Sequence, residues 1–145
     1  MKKKILFLCT GNSCRSQMAE GWAKKILPSE EFEVYSAGTN PSGIDPYAIK
    51  VMSEVGIDIT SHRSKHVDEF KDVDFYAVIT VCDNAKESCP IWFGKTKLKL
   101  HKSFQDPPSL AKNAKTEEEV LMYYRKVRDE IKDFLYELKD QLMSE

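Results

Sequence analysis

Ile5-Leu6-Phe7-Leu8-Cys9-Thr10-Gly11-Asn12-Ser13-Cys14-Arg15-Ser16 is the stretch on which the reading of this chain turns. Ile5 to Leu8 is a short continuous apolar run ending at a glycine-containing loop, the pattern of a buried parallel strand. Ser16 to Leu27 follows as a helix, with Met18, Trp22, Ala23, Ile26 and Leu27 on one side and Pro28 closing it. Cys9 to Ser16 therefore joins a strand to a helix. The backbone N–H groups of such a loop can curl around an anion, and the helix N-terminus adds positive potential. Thr10, Gly11, Asn12, Ser13, Cys14 and Arg15 are the expected oxyanion-binding residues. Arg15 can grip two oxygens of a tetrahedral oxyanion, and Gly11 is expected to take positive φ where the loop turns. The same field favours a thiolate at Cys9, to which Ser16 can hydrogen-bond. The nucleotide-binding pattern G-x-x-x-x-G-K-[ST] is missing. C-x5-R alone occurs by chance in many proteins, where it is only a buried thiol and a surface cation. Its place between a strand and a helix is what gives it weight here.

The same alternation runs on along the chain. Phe32 to Ala37 reads as a strand, with Gly38 opening a loop. Asp45-Pro46 reads as a helix start, with Ala48, Val51, Met52 and Val55 at helical spacing and Gly56 as the stop. Phe75 to Val81 is the strongest strand and ends at Cys82, while Leu98 and Leu100 mark a weaker fourth. Ser103 to Lys115, containing Pro107-Pro108, reads as loop. Thr116 to about Leu142 reads as a long helix opened by a capping box, with Val120, Tyr124, Val127, Ile131, Phe134, Leu135 and Leu138 as its apolar stripe. The expected fold is a single α/β domain over residues 1–145, three layers with a central four-stranded parallel sheet flanked by helices. Ligands of such sheets bind at the carboxyl ends of strands. Cys9 and Cys82 both fall there.

Totals narrow the function classes. The chain has 145 residues, 41% of them hydrophobic, with a formal net charge of -1. That suits one packed domain and gives no bulk charge with which to hold nucleic acid or a membrane. The basic start Met1-Lys2-Lys3-Lys4 is followed by too short an apolar run for a signal peptide or a membrane span, so a cytoplasmic protein is expected. Thiols are kept reduced there, and the 4 cysteines, Cys9, Cys14, Cys82 and Cys89, point to redox or metal chemistry rather than stapling. Neither cysteine pair has the close C-x2-C spacing of structural zinc. His62, His66 and His101 form no ligand pattern. No metal and no cofactor are expected. Cys82 and Cys89 also read as small buried hydrophobes, the latter less readily because its loop is polar. Cys14 reads as a packing residue.

Two motifs carry a resemblance. C-T-G-N-S-C-R-S-Q-M-A-E from Cys9 to Glu20, together with Ser36-Ala37-Gly38, resembles the low-molecular-weight protein tyrosine phosphatase superfamily. Within it, T-G-N-S-C-R-S-Q-M-A-E-G resembles the thioredoxin-coupled arsenate reductases more than the phosphatases. The similarity runs from about Lys4 into the last helix, through V-R-D-E-I at Val127 to Ile131. The resemblance implies that Cys9 attacks arsenate, that Cys82 and then Cys89 carry the oxidation away as a redox disulfide, and that thioredoxin reopens it, with phosphate or sulfate as competing anions. These roles match thiol–disulfide exchange. The polar segment between the two cysteines is expected to loop or partly unwind during the handover, with Trp92-Phe93 shielding it.

The resemblance also implies that Asp106, before Pro107, is the general acid. By itself an Asp-Pro reads equally as a turn initiator. The phosphatases usually carry an aromatic residue after that Asp-Pro and another in the loop after Ser-Ala-Gly. Here stand Pro108 and the aromatic-free Thr39 to Ile44, so weak hydrolysis of an activated phosphate ester is the most that is expected. Some relatives hold potassium through Asn, Glu, Ser and an acidic residue. Asn12, Glu20 and Ser36 match, but Lys65 stands where the acid would, so no potassium requirement is expected.

Three functions fit the residues. An arsenate reductase uses Cys9, Cys82 and Cys89. A tyrosine phosphatase needs only Cys9, Arg15 and Asp106. A non-catalytic oxyanion or redox sensor has no use for Asp106. A mycothiol- or glutaredoxin-linked reductase is a further variant, for which an internal relay of two extra cysteines is not needed.

Overall fold

The computed structural model describes residues 2–83 and 89–144. Four strands, β1 (Lys3–Cys9), β2 (Phe32–Gly38), β3 (Phe75–Thr80) and β4 (Thr96–His101), alternate with α1 (Arg15–Ile26), α2 (Pro46–Glu54), α3 (Pro107–Leu110) and α4 (Glu117–Met143). The sheet is parallel throughout, in the order β2-β1-β3-β4. The chain leaves β1 for β2 on one side and returns to β3 on the other. The switch point of the sheet, where ligand crevices form, therefore lies between the carboxyl ends of β1 and β3. The fold is the one expected.

β1 explains its own burial. Ile5, Phe7 and Cys9 face the cluster containing Met18, Trp22, Ile131 and Leu135 from α1 and α4, while Leu6 and Leu8 face a second cluster with Ala37, Phe75, Val78 and Trp92. A strand covered on both faces must be apolar where it is buried, and this one is from Ile5 to Cys9, its first two residues being half-buried lysines. Tyr35, Val67, Phe70 and Val73 complete the second cluster. A 3-10 turn over Val67–Phe70, which the sequence pattern did not suggest, supplies two of them. Edge strand β4 alternates half-buried and exposed residues, which is why its signal was weak.

The helix ends follow local chemistry. Asp45 caps α2 by accepting from the Tyr47 N–H at 2.9 Å, and Gly56, at φ 79°, turns the chain beyond its end. Thr116 caps α4 by accepting from the Glu119 N–H at 3.1 Å. The reciprocal bond of a capping box shifts by one residue, because Glu119 accepts from the Lys115 N–H instead. The buried stripe of α4 also differs from expectation. Val120 and Phe134 are only partly buried, while Leu121, Arg128 and Leu142 are buried. Arg128 was passed over because it is charged. It is neutralised in place by the Glu54 carboxylate and donates to the Val51 carbonyl, each at 2.9 Å. Among the described residues, every buried side-chain nitrogen or oxygen is hydrogen-bonded, and no helix is long and apolar enough to cross a membrane.

Candidate functional site

The loop from Thr10 to Cys14 has its carbonyls turned outward, one after another. The Thr10, Gly11 and Ser13 carbonyls accept from the N–H groups of Asn40, Ser42 and Asp45 at 2.8, 3.1 and 3.0 Å. The Asn12 carbonyl accepts from Gln17 Nε2 at 3.1 Å, and the Cys14 carbonyl from the Met18 N–H at 2.8 Å. A loop whose carbonyls all point away presents its amides to the other side. That is the geometry of an anion nest at a helix N-terminus.

The tight turn of this loop falls on Asn12, at φ 46°, and not on Gly11 as expected. Asparagine tolerates the left-handed region, and here four contacts hold it. Its Nδ2 donates to Ser16 Oγ at 2.8 Å and Ser36 Oγ at 2.9 Å. Its Oδ1 accepts from Gln17 Nε2 at 2.9 Å and the Lys65 N–H at 2.8 Å. At Gly11 a Cβ would lie 3.0 Å from Ser42 Oγ, an exposed side-chain tip that can swing aside. Gly38 leaves no such room. A Cβ on it would stand 2.4 Å from the Thr10 carbonyl oxygen and 2.9 Å from the Asn12 nitrogen.

Cys9 is 2% exposed. Its sulfur and the Ser16 hydroxyl are hydrogen-bonded at 2.8 Å, and the Asn12 N–H donates to the sulfur at 3.2 Å. Arg15 is buried, donates from Nη1 to the Phe104 carbonyl at 3.0 Å, and faces Asp106 with Nη2 3.5 Å from Oδ1. Asp106 sits ahead of the short helix α3 and accepts from the Ser109 hydroxyl at 2.8 Å. It is both a turn initiator and a carboxylate turned to the loop. A cavity of about 310 Å³ is lined by Cys9, Thr10, Gly11, Ser13, Cys14, Arg15, Asp106 and Pro108, and by Ser42. The absence of an aromatic residue from this lining suits a tetrahedral oxyanion better than an aryl ester. Burial foremost, then Asp45 and Asp106, pushes the Cys14 thiol well above its usual range. That keeps it protonated beside Cys9.

Cys82 and Cys89 are joined by a disulfide with Cα atoms 5.8 Å apart, while Cys9 and Cys14 are free. Cys82 is fully buried in the cluster that holds Cys9. The Val81 N–H donates to the Leu8 carbonyl at 2.9 Å, so the neighbouring strand ends carry both cysteines one residue farther on. The polar segment expected to loop or unwind, 84–88, lies outside the described residues. The loop that Trp92-Phe93 were expected to shield is that same segment outside the described residues. Trp92 is 5% exposed and packs edge-on to Phe75 at 5.4 Å, whereas Phe93 is 89% exposed.

Behind the loop lies a polar network that the sequence showed only in part. Ser36 Oγ donates to Glu20 Oε1 at 2.5 Å. His62 Nε2 is 3.7 Å from Glu20 Oε2, and Lys65 Nζ is 3.9 Å from Oε1. Lys65 also donates to the Arg63 carbonyl at 2.6 Å. Burial pulls the pKa values of His62 and Lys65 down, with Glu20 opposing it. Gln17 went unassigned in the sequence, although it stands inside the motif from Cys9 to Glu20. Its link to the Arg63 carbonyl at 3.0 Å depends on chain folding that no local pattern reveals.

The fold and the site together define an α/β oxyanion-loop protein with a cysteine at the root of the loop. The chain belongs to the low molecular weight phosphotyrosine protein phosphatase family, which residues 4–145 match. It is 52% identical over 134 residues to an arsenate reductase of Oceanobacillus iheyensis, covering 91% of each chain. It is 45% identical over 141 residues to an arsenate reductase of Bacillus subtilis (strain 168), covering 97% of this chain and 98% of that one. Among solved structures it is similar to an arsenate reductase in the phosphate binding state, with a TM-score of 0.77 and 34% identity over 96% of this chain and 98% of that one.

Proposed function

We propose that the protein reduces arsenate to arsenite through a relay of Cys9, Cys82 and Cys89, and that thioredoxin regenerates it in the cytosol. The carrying observation is the Cys82–Cys89 disulfide beside a free Cys9 in the oxyanion loop. A phosphatase has no use for that pair. The relatives named arsenate reductase support the same reading.

The steps balance as follows. The Cys9 thiolate attacks arsenic held by the loop amides and Arg15. An S–As bond forms and one arsenate oxygen, protonated by Asp106, leaves as water. The Cys82 thiolate then attacks the Cys9 sulfur. An S–S bond forms, the S–As bond breaks, and its electron pair goes to arsenic, which departs as arsenite. The Cys89 thiolate attacks the Cys82 sulfur and frees Cys9. Two thiols have become one disulfide, supplying the two electrons that arsenic gained. The bond seen here is the product of that last step. Thioredoxin returns two electrons and two protons. Ser16, bonded to the Cys9 sulfur, steadies the thiolate, and phosphate and sulfate compete for the loop.

The test is arsenate-dependent NADPH oxidation with thioredoxin and thioredoxin reductase. Sustained turnover is expected, with only slow aryl phosphate hydrolysis. The reverse pattern would leave a phosphatase. Asp106→Asn keeps the start of α3, since Asn serves as well as Asp before a helix. It is expected to slow both arsenate turnover and aryl phosphate hydrolysis by roughly 10²- to 10⁴-fold, the usual worth of a general acid. An unchanged rate would remove Asp106 from the mechanism.

Potassium is expected to have no effect. The Lys65 ammonium stands near Glu20, where the relatives that hold the ion would place it, and supplies the positive charge itself. Replacing sodium by potassium at constant ionic strength should leave turnover unchanged. Stimulation by potassium would show that the ammonium does not take the ion's place.

A further inference from the structure

We infer that Ile91 and Phe93 form the docking patch for the protein dithiol that reopens the Cys82–Cys89 disulfide, an inference that rests on the proposed thiol relay. Cys89 is followed by Pro90-Ile91-Trp92-Phe93-Gly94. Pro90 and Trp92 are buried, whereas Ile91 is 69% and Phe93 89% exposed. Burial alternates residue by residue along this stretch, so neighbouring side chains point opposite ways. Burying Trp92 therefore drives both neighbours outward. The tryptophan is held firmly. Its ring packs edge-on to Phe75, its Nε1 donates to the Lys95 carbonyl at 3.4 Å, and Gly94 lies so close that a Cβ there would stand 2.4 Å from the ring. Pro90 adds a fixed φ. The two exposed side chains thus ride on a rigid support.

A single exposed apolar residue means little. The two most exposed large hydrophobics among the described residues, flanking one buried anchor and next in the chain to a redox sulfur, mark a contact surface. Access selects the occupant. Cys82 is fully buried, while Cys89 is only partly so, so a reductant must come in over Cys89. An extended chain spans at most about 3.6 Å per residue, which places Ile91 within roughly 7 Å and Phe93 within roughly 14 Å of Cys89. A standard protein interface of about 800 Å² per partner is a disc of roughly 16 Å radius. A protein that sets its thiol on the Cys89 sulfur therefore covers both side chains. A small thiol covers neither.

The experiment starts from the oxidised protein and follows its reduction by thioredoxin, thioredoxin reductase and NADPH without arsenate, so it does not depend on arsenic chemistry. Ile91→Ser, Phe93→Ser and the double variant are compared with the unaltered chain. Loss of an apolar anchor is expected to raise the KM for thioredoxin by roughly tenfold or more. Reduction by a small dithiol, and the single burst of arsenite from pre-reduced protein, should stay as in the unaltered chain. An unchanged KM in the double variant overturns the inference. So does an equal loss with the small dithiol, which would mean that the patch merely supports the disulfide. So does an unaltered protein that thioredoxin fails to reduce. Sedimentation runs beside the assay, and a dimer broken by Phe93→Ser with KM unchanged would assign the patch to a second copy and overturn the inference too. If thioredoxin reduces the disulfide through Phe93 but no arsenate is turned over, the docking patch stands and the arsenate reading falls.

Discussion

Cys82→Ser is expected to release no arsenite and to keep its aryl phosphate hydrolysis, whereas Cys89→Ser is expected to release one equivalent of arsenite and stop. The difference follows from where each sulfur sits. Without Cys82, the arsenic adduct on Cys9 has no thiolate to attack it from the neighbouring strand end, and nothing resolves it. Without Cys89, the first exchange still occurs, arsenite leaves, and Cys9 remains tied to Cys82. Both of those sulfurs are buried, at 2% and 0% exposure, so an external thiol cannot reach the bond. Mass spectrometry of the stalled protein should find Cys9 linked to Cys82. Hydrolysis needs only Cys9, Arg15 and Asp106 and checks that the site is intact, since a serine hydroxyl in the Cys82 cluster costs roughly 1–3 kcal/mol if it finds no partner. Sustained arsenate turnover in Cys82→Ser would sink the relay.

Gly38→Ala is expected to lose both reactions together and to destabilise the fold by about 3 kcal/mol, the upper part of the range for forcing a methyl group into packed surroundings. The carbon would stand 2.4 Å from the Thr10 oxygen and 2.9 Å from the Asn12 nitrogen and the Cys9 oxygen. All three are backbone atoms of the oxyanion loop, and none can swing aside as a side-chain tip could. Gly38 cannot retreat either, because its N–H donates to the Lys65 carbonyl at 2.8 Å. The loop must give way, and with it the nest of amides. Gly43→Ala is the control. At φ 87° with nothing within 4 Å of its Cβ, it should cost only the left-handed penalty of about 1–2 kcal/mol. Thermal unfolding and phosphate titration of both variants decide the matter. Normal phosphate binding by Gly38→Ala would show that the close approach is not required.

The strand from Ile5, the helix after Arg15, the strand ending at Cys82 and the long last helix were legible because apolar spacing is a local property. The short helix α3 and the 3-10 turn were not, since a single turn has too few residues to show a period. Cys9 and Arg15 could be named from the loop motif they share and Asp106 from the resemblance alone, and the structure brings all three to the lining of one cavity. The segment 40–45, which holds the loop carbonyls, could not be named, because its work is done by backbone groups that any residue carries. The exposure of Phe93 was not legible for a related reason. Its apolar side chain suggested cover, but the burial of Trp92 fixes the direction of its neighbours.

By itself the sequence determined the order of strands and helices, the place of the loop from Cys9 to Ser16 between a strand and a helix, and the presence of a cysteine pair, all carried by residue type and near spacing. Only the tertiary structure decided that Asn12 takes the strained turn, that Gly38 must lack a side chain, that Lys65 stands beside Glu20, and that Cys89 is the accessible end of the disulfide. Each of these depends on what a distant part of the chain presses against the residue. That pressure is set by packing between segments, which residue type and spacing along the chain do not record.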